Sequence, residues 1–445
     1  MDKIKFTDNP ADSFIIEPEL YDKFNVKRGL RNADGSGVLV GLTRIGEVHG
    51  YVIDEGEKTA VEGKLFYRGL DVEDLVQSTA NNGRFGFEET VFLLLFGFLP
   101  NKAQLENFCT LMGNSRALPK HFAEDAIMKA PSRDIMNKLA RSVLTLYSYD
   151  ETPEDRTPEN ILRQCIELIA RFPTIVAYSY MAKKHYYNHE SLIIHMPDKN
   201  LSSAESLLAL IRPDQQYTRL EAEILDMALI LHAEHGGGNN STFAVHLVSS
   251  ADTDTFSAIS AGLVSLKGYK HGGANIKVMQ MMDDIKKNIK HWDNEGEVAD
   301  YLEQILRGKA NDGSGLIYGQ GHAVYTISDP RTRLLRDKAL LLAENKHLTD
   351  EFNLYRLIER LAPEVFKKVK GSDKMICTNV DFYSGFVYKM LGIPSDLYTA
   401  LFAISRVSGW CAHRLEESII GGRIIRPAYK CVQKRLDYVP LADRK

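Results

Sequence analysis

Four segments of the chain combine side chains that can do chemistry with glycines, in surroundings that otherwise have the pattern of helices. They are HAEHGGGNNSTF (232–243), GYKHGGAN (268–275), GQGHAVYTISDPRTR (319–333) and NVDFYSG (379–385). Histidine and aspartate are common proton donors and acceptors in catalysis. Glycines beside them let the backbone approach a ligand closely. These segments are therefore the first candidates for an acid–base site.

His271 precedes two glycines and the segment ANIKVMQMMDDI, whose apolar residues recur at helical spacing. We expect it to lie at or just before a helix N-terminus, where the positive end of the helix dipole disfavours an imidazolium ion. A neutral imidazole can donate a hydrogen bond to an oxygen that becomes negatively charged. A histidine that merely caps the helix is the alternative.

Asp381 lies between apolar and aromatic residues. An ordinary aspartate has a pKa of about 3.9 and is a weak base, but partial burial would raise its pKa toward working pH. The alternative is an N-cap for a helix beginning near Phe382. From the residues alone, the cap is the preferred interpretation, and both roles are compatible.

His322 follows the sequence Gly319-Gln320-Gly321. The two glycines would allow backbone N–H groups to approach a ligand beside the imidazole. A histidine that simply occupies a glycine-rich turn is the alternative.

Three arginines, Arg331, Arg406 and Arg426, can each bind a carboxylate through two parallel hydrogen bonds. Taken singly, each is more often a surface or ion-pair residue.

The four segments resemble the signature motifs of the citrate synthase family, in the same order and with similar separations. KLFYRGLDVEDL and FEETVFLLLFGFLP also resemble that family, so the resemblance spans roughly residues 60–430. It implies a mainly α-helical, two-domain fold with a small β-containing N-terminal segment. A large helical domain would comprise residues 1–271 and 387–445, and a small domain residues 272–386.

The resemblance implies an acyltransferase of the tricarboxylic acid cycle, which condenses oxaloacetate with acetyl-CoA and water to give citrate and CoA. By that resemblance Asp381 removes a proton from the acetyl methyl group and His271 stabilises the enol. His322 donates to the oxaloacetate carbonyl. The coenzyme A thioester would be a co-substrate, with no permanently bound cofactor and no metal.

The resemblance also assigns binding residues. His235, Arg331, Arg406 and Arg426 match residues that bind oxaloacetate, and the last comes from the partner subunit in that family. It therefore implies a homodimer with shared active sites. The predicted coenzyme A contacts are Leu316, Gly319, Gly321 and Lys374.

Two departures leave the subfamily open. Ala323 follows His322 where many bacterial members have arginine, and GGGNN follows His235 where Asn-Ala-Ser is common. A 2-methylcitrate synthase, which uses propionyl-CoA, is the nearest alternative. One methylene group is worth only ~1–3 kcal/mol in a binding pocket.

Two more distant alternatives belong to other classes. His232 and His235 flank Glu234 and could indicate a metal-dependent hydrolase, but the spacing is H-x-x-H rather than the H-E-x-x-H of that class. A non-catalytic binding protein is the second, and the complete set of acid, base and anion-binding residues disfavours it.

The elements that must position these residues are predicted to be mostly helices. TRLEAEILDMALILHAEH has one apolar face, and TFSAISAGLVSLKG is a helix expected to end at Gly268. FEETVFLLLFGFLPNKAQLENF predicts two helices separated at Gly97. Strands are expected only in GVLVGLTRIGEVHGYVIDEGEK, and SYDETPEDRTPEN predicts a surface loop.

Bulk composition is that of a globular protein and excludes several classes. The 445 residues are 44% hydrophobic and 26% charged, with a net charge of -4 that gives no bias toward nucleic acid or membrane. The five cysteines have no CxxC spacing and favour a reduced, cytoplasmic protein. The first residues lack a signal or transit pattern, and the most apolar run is half the length of a membrane span.

Overall fold

The computed structural model describes residues 14–32, 35–54, 57–371 and 376–444. By contact density the chain divides into two units, one ending at Thr43 and the other beginning at Arg44. The described part of the first unit contains a short helix, a 3-10 turn and a single bridge between Arg31 and Gly37. All of the predicted site residues belong to the second unit, although Lys374 lies outside the described residues.

The described residues are mainly α-helical, which confirms the predicted fold class. Their sixteen α-helices are α1 (Pro18–Lys23), α2 (Val72–Asn81), α3 (Phe87–Phe96), α4 (Lys102–Asn114), α5 (Ile135–Leu146), α6 (Pro158–Asn188), α7 (Ser203–Ile211), α8 (Arg219–His232), α9 (Asn240–Ser249), α10 (Thr255–Lys267), α11 (Ala274–Asn288), α12 (Glu295–Leu306), α13 (Pro330–Asn345), α14 (Thr349–Lys370), α15 (Asp381–Met390) and α16 (Tyr398–Ile420).

A small antiparallel sheet lies at the start of the second unit, as predicted. Its strands are β1 (Gly46–Asp54), β2 (Glu57–Tyr67) and β3 (Leu70–Asp71), in that spatial order. No strand forms over residues 37–44, and β2 and β3 continue beyond residue 58, so the strands lie later in the sequence than predicted. The close approach at Gly63, where a Cβ would come within 2.1 Å of the Ser328 carbonyl oxygen, packs the sheet against the segment that follows His322.

The helix boundaries follow local sequence signals. Gly97 has a φ of 84° and ends α3, and an Asn101–Gln104 capping box then begins α4. Gly268 ends α10 as predicted, although with a φ of -54° it is not in the left-handed conformation. The predicted loop at 148–160 is shorter than expected, because Thr157 caps α6 and Pro158 is its first residue.

The core of the second unit is built around α16, which packs against α3, α5, α6, α8, α9 and α10. Helix α6 spans 31 residues and is buried along most of its length. Helices α11 to α15 pack largely on one another, with α12 on α14 and both α11 and α13 on α15. The predicted site residues lie where these two groups of helices meet.

Candidate active site

A cavity of about 160 Å³ gathers six of the residues predicted for the site. They are His235, His271, His322, Arg331, Asp381 and Arg406. Asn239, Leu266, Gly272, Asn275, Asn379, Val380 and Phe402 complete the lining. The four sequence segments and α16 therefore meet at one place, although they are up to 171 residues apart along the chain (His235 to Arg406).

His271 lies just before α11, whose N-cap is Gly273. Its Nε2 is 3.1 Å from the Ser241 hydroxyl oxygen, which is 2.8 Å from Asn239 Oδ1. Burial, reinforced by the positive charge of Arg406, lowers the pKa of His271 to about 4. The imidazole is therefore neutral near pH 7, as the helix position suggested, but burial is the main cause.

His322 has a defined tautomer. Its Nδ1 accepts hydrogen bonds from the backbone N–H groups of Val324 and Tyr325, both at 3.1 Å. A nitrogen that accepts carries no proton, so Nε2 carries the proton of the neutral ring. The ring also stacks on Tyr325 with centroids 4.6 Å apart, which fixes its plane.

Asp381 is the first residue of α15 and does not cap it. The N-cap is Val380, and Asn379 Oδ1 accepts from the Asp381 backbone N–H at 3.0 Å. The cap interpretation of Asp381 was therefore wrong, because Asp381 already lies within the helix and its own backbone N–H is bonded to Asn379. Within the described residues no hydrogen bond or ion pair reaches the Asp381 carboxylate, and burial raises its pKa to about 6 against the opposing charge of Arg331.

A short backbone pairing holds the loop of His322 beside the start of α15. Gln320 and Thr378 form a bridge, the Gly321 N–H donates to Cys377 O at 2.7 Å, and Asn379 Nδ2 donates to Gly321 O at 2.8 Å. The N–H of Gly321 is thus bonded within the protein. A φ of 89° at this residue explains why the loop needs glycine there.

Arg406 is a fully buried cation on α16. Its Nε donates to His232 O at 2.6 Å, whereas Nη1 has no hydrogen-bond partner among the described residues. Burial lowers the pKa of Arg406 to about 10, against the stabilising charge of Glu234. An unpartnered buried N–H group beside a cavity is suited to an anionic ligand.

Arg331 is also buried, but Asp329 holds it through two hydrogen bonds of 3.0 and 2.7 Å. The Asp329 carboxylate additionally accepts from the backbone N–H of Val380 at 3.2 Å. One carboxylate therefore fixes the arginine at the start of α13 relative to the residue before Asp381.

His235 completes the group of histidines. Its ring centroid is 5.1 Å from that of His322, and its Nε2 has no partner among the described residues. Burial, aided by the charge of Arg331, lowers the pKa of His235 well below its ordinary value. A neutral imidazole is left beside two arginines.

Four described residues of the predicted site do not line the cavity. Arg426 is exposed in the extended segment after α16, and Leu316 is 56% exposed. Gly319 and Gly321 have positive φ and shape the loop before His322. Their predicted contacts with ligands, like that of Lys374, stay predictions.

Sequence reasoning did not single out the side chains that orient the site. Ser241 contacts His271, Asp329 holds Arg331, and Asn379 joins two backbone segments. All three lie inside the segments singled out from sequence, so proximity to the histidines and to Asp381 was the available signal.

Two features are absent from the described residues. No group of three or more His, Cys, Asp or Glu side chains there is arranged to hold a metal ion. No described helix is both long and apolar enough to cross a membrane.

Similarity to known proteins extends over most of the chain. Residues 34–428 match the family described as "Citrate synthase, C-terminal domain". The citrate synthase of Haloferax volcanii is 31% identical over 424 residues, which cover 94% of this chain and 99% of that protein. The 2-methylcitrate synthase 1 of Corynebacterium glutamicum is 33% identical over 386 residues, which cover 85% of this chain and 92% of that protein.

A solved structure agrees with the sequence matches. The ternary complex of carboxymethyl coenzyme A and oxaloacetate with the citrate synthase of Thermoplasma acidophilum has a TM-score of 0.75 and 28% identity. The match covers 94% of this chain and 99% of that one. Fold and comparisons together define a mainly helical enzyme of the acyltransferase type. The chain belongs to the citrate synthase family.

Proposed function

We propose that the protein condenses oxaloacetate with acetyl-CoA and water to give citrate and CoA. The observation that carries this proposal is the single cavity lined by His271, His322 and Asp381 together with two buried arginines. These are the groups needed to make an enol from a thioester and to add it to an anionic ketone.

Asp381 is the proposed base that removes a proton from the acetyl methyl group. With a pKa of about 6 it is ionised near pH 7 and is a stronger base than an ordinary aspartate. No partner within the described residues competes for its carboxylate, which supports this role.

His271 is the proposed hydrogen-bond donor to the thioester oxygen as the enol forms. Because its Nε2 faces Ser241, the donor must be Nδ1–H. In this tautomer Nε2 carries no proton and can only accept, so the Ser241 hydroxyl, which donates to Asn239 Oδ1 in the structure, would have to turn and donate to His271. Ser241 is therefore a positioning residue for the tautomer of His271.

His322 is the proposed donor to the ketone oxygen of oxaloacetate. Its two backbone hydrogen bonds to Nδ1 place the proton on Nε2, which is the tautomer that can donate. The enol carbon then attacks the polarised ketone carbon, and the ketone oxygen gains a proton to become the hydroxyl of citryl-CoA. Water cleaves the thioester, and CoA leaves as the thiol.

Arg406, Arg331 and His235 are the proposed partners of the oxaloacetate carboxylates. The unpartnered Nη1 of Arg406 and the unpartnered Nε2 of His235 support this assignment. Arg426 is exposed and outside the cavity, so it can act as predicted only on the site of a second copy. We therefore propose a homodimer with shared active sites.

The coenzyme A thioester is the proposed co-substrate, bound without a permanent cofactor or metal. Leu316, Gly319, Gly321 and Lys374 are its proposed contacts. We further propose that residues 272–386 form a small domain that closes over the cavity and excludes water from the enol. The packing of α11 to α15 largely on one another supports this division. The five free cysteines favour a cytoplasmic location.

The direct test measures citrate and free CoA thiol after acetyl-CoA and oxaloacetate are added to the purified protein. We expect both products in equal amounts, with turnover lowered by about 10³-fold or more in the Asp381→Ala variant. Full activity in that variant would overturn the assignment of the base.

A 2-methylcitrate synthase is the second candidate, because a relative of that name is as similar in sequence as the citrate synthases. The same assay with propionyl-CoA decides between the two. The extra methylene should change kcat/KM by roughly 10–200-fold in one direction or the other. A ratio in favour of propionyl-CoA would replace the proposed substrate and leave the chemistry unchanged.

A further inference from the structure

Four ionisable side chains form a network of successive contacts behind the cavity. Glu417 Oε2 is 2.9 Å from His246 Nδ1, and His246 Nε2 is 3.0 Å from His413 Nδ1. His413 Nε2 is 3.1 Å from Glu234 Oε1, in an ion-pair contact too bent to be a hydrogen bond. This network joins α9, α16 and the segment after α8.

This network extends from the protein surface into the interior. The side chains of Glu417 and His246 are 17% and 13% exposed, whereas those of His413 and Glu234 are 0% exposed. The backbone makes room for the inner carboxylate, since a Cβ on Gly409 would lie 2.3 Å from Glu234 Oε2. The Gly236 N–H also donates to Glu234 Oε1. The inner end is therefore built to hold a carboxylate group.

The contacts of this network determine how many protons its two histidines must carry. The carboxylate of Glu417 needs a proton on His246 Nδ1, which makes His246 Nε2 an acceptor if that ring is neutral. His413 must then donate from Nδ1. If His413 were also neutral, its unprotonated Nε2, which is partially negative, would lie 3.1 Å from the Glu234 carboxylate, which is repulsive. Two neutral histidines supply one proton too few.

We propose that His413 holds this additional proton and is a buried imidazolium, which positions the anionic substrate through Glu234 and Arg406. Its neighbours favour the positive charge. Besides Glu234, the Glu416 carboxylate lies 3.8 Å from His413 Nδ1. His246 presents an acceptor nitrogen, and Tyr67 on β2 bonds the backbone of Glu234 through its hydroxyl group.

The electrostatic balance around Glu234 agrees with this assignment. Burial acts to raise the pKa of Glu234, but the charges of His413 and Arg406 outweigh it and the pKa is lowered. A buried carboxylate between two cations is stable as an anion. The charges of both His413 and Arg406 thus act on Glu234.

The consequence for the site rests on the proposed function. If His413 were neutral, the full charge of Glu234 would act on Arg406 and weaken its attraction for a carboxylate of oxaloacetate. The proton on His413 keeps Arg406 effectively more positive toward the cavity. His413 is therefore a positioning residue for substrate affinity rather than a group that takes part in proton transfer to the substrate.

The proton can be tested without any activity, by neutron diffraction from crystals of the perdeuterated protein at pD 8. We expect deuterium on both ring nitrogens of His413 and on one ring nitrogen of His271, which serves as the internal control because its pKa is about 4. A single deuterium on His413, with or without one on Glu234, would overturn the proposal. This result is independent of what the enzyme catalyses.

The role in binding is tested with His413→Gln and, as the matched control, Glu417→Gln. The control keeps a carbonyl acceptor for His246 Nδ1 and so retains the proton on His413. We expect the first variant to raise KM for oxaloacetate about tenfold with kcat within about twofold, and the second to change neither by more than about twofold. Equal KM values in the two variants, or a loss confined to kcat, would refute the positioning role.

If His413→Gln does not fold, the deuterium count on His413 decides the proposal. Calorimetric titration of the unmodified protein with oxaloacetate at pH 8 then measures binding separately. Oxaloacetate binding without condensation activity would instead count against the proposed function alone.

Discussion

Two carboxylates in the first turns of helices have opposite environments. Glu221, in α8, accepts hydrogen bonds from Arg212, Lys346 and the backbone N–H of Thr218 at 2.7 to 2.9 Å. Although burial acts to raise its pKa, these bonds outweigh it and lower the pKa of Glu221 to about 2. Asp381, in α15, has no such partner within the described residues, and its pKa is raised to about 6.

The difference shows what burial does when partners are supplied and when they are withheld. A partnered carboxylate stabilises the fold over most of the pH range, whereas a partnerless one costs free energy wherever it is ionised. The cavity contains the carboxylate without a partner, because a base must have an available oxygen and a pKa near working pH. Structure and chemistry thus place opposite demands on the same functional group.

The comparison predicts its largest effect on turnover. Asp381→Ala should lower kcat by about 10³-fold or more while the dissociation constant for oxaloacetate stays nearly constant. Glu221→Gln, measured under the same conditions below its unfolding temperature, should keep kcat within about threefold. Steady-state assays with calorimetric binding would contradict the contrast if both variants lost similar activity.

Arg406 and Arg426 extend the comparison to cations, since one is buried at the cavity and the other exposed outside it. Heterodimers of one Asp381→Ala and one Arg426→Ala subunit test whether Arg426 serves its partner. If it does, one site of the two is intact, so purified heterodimers should have about half the activity of the unmodified dimer.

The matched controls for this experiment are the two homodimers, each of which should be strongly impaired. Heterodimer activity near the level of the Arg426→Ala homodimer would mean that Arg426 does not reach the partner's site. A monomeric protein in solution would exclude the shared site altogether.

Stability should change in opposite directions when the two carboxylates are neutralised. Glu221→Gln should lower the free energy of unfolding by about 2–3 kcal/mol at pH 7, because its lowered pKa gives stability above pH 4.5 that is lost toward pH 2. Asp381→Asn should raise it by about 1–3 kcal/mol at pH 8, and this gain should disappear as pH falls from 6 to 4.

Denaturation of both variants at pH 8 and pH 4.5, followed by circular dichroism, makes this measurement. Destabilisation by Asp381→Asn at pH 8 would show that the carboxylate has a stabilising partner. Such a result would remove the contrast between the two helix starts.

The smallest predicted effect is on the pH dependence of the rate. Turnover should fall as pH decreases through about 6, to roughly a tenth at pH 5, because the Asp381 base becomes protonated. His271, with a pKa of about 4, should add no titration in this range. A profile that is flat from pH 7.5 to pH 5 would contradict the assignment of Asp381.

Local patterns in the sequence predicted several of the helices and the position of His271. Apolar spacing predicted α8 and α10, and glycine predicted the ends of α3 and α10, because these features depend on neighbours within one or two turns. The order of the motifs indicated the family. The pattern did not show that Thr157 begins α6, because an acidic segment with two prolines is also typical of a loop.

The properties of the site were decided by contacts across long stretches of chain. Asp381 lies within α15 rather than capping it, and the tautomer of His322 depends on backbone N–H groups that face its ring. His413 meets Glu234 across 179 residues, and the raised pKa of Asp381 depends on having no partner. Sequence specifies which groups are present, but burial and partner geometry set their charge, and only the folded chain brings these together.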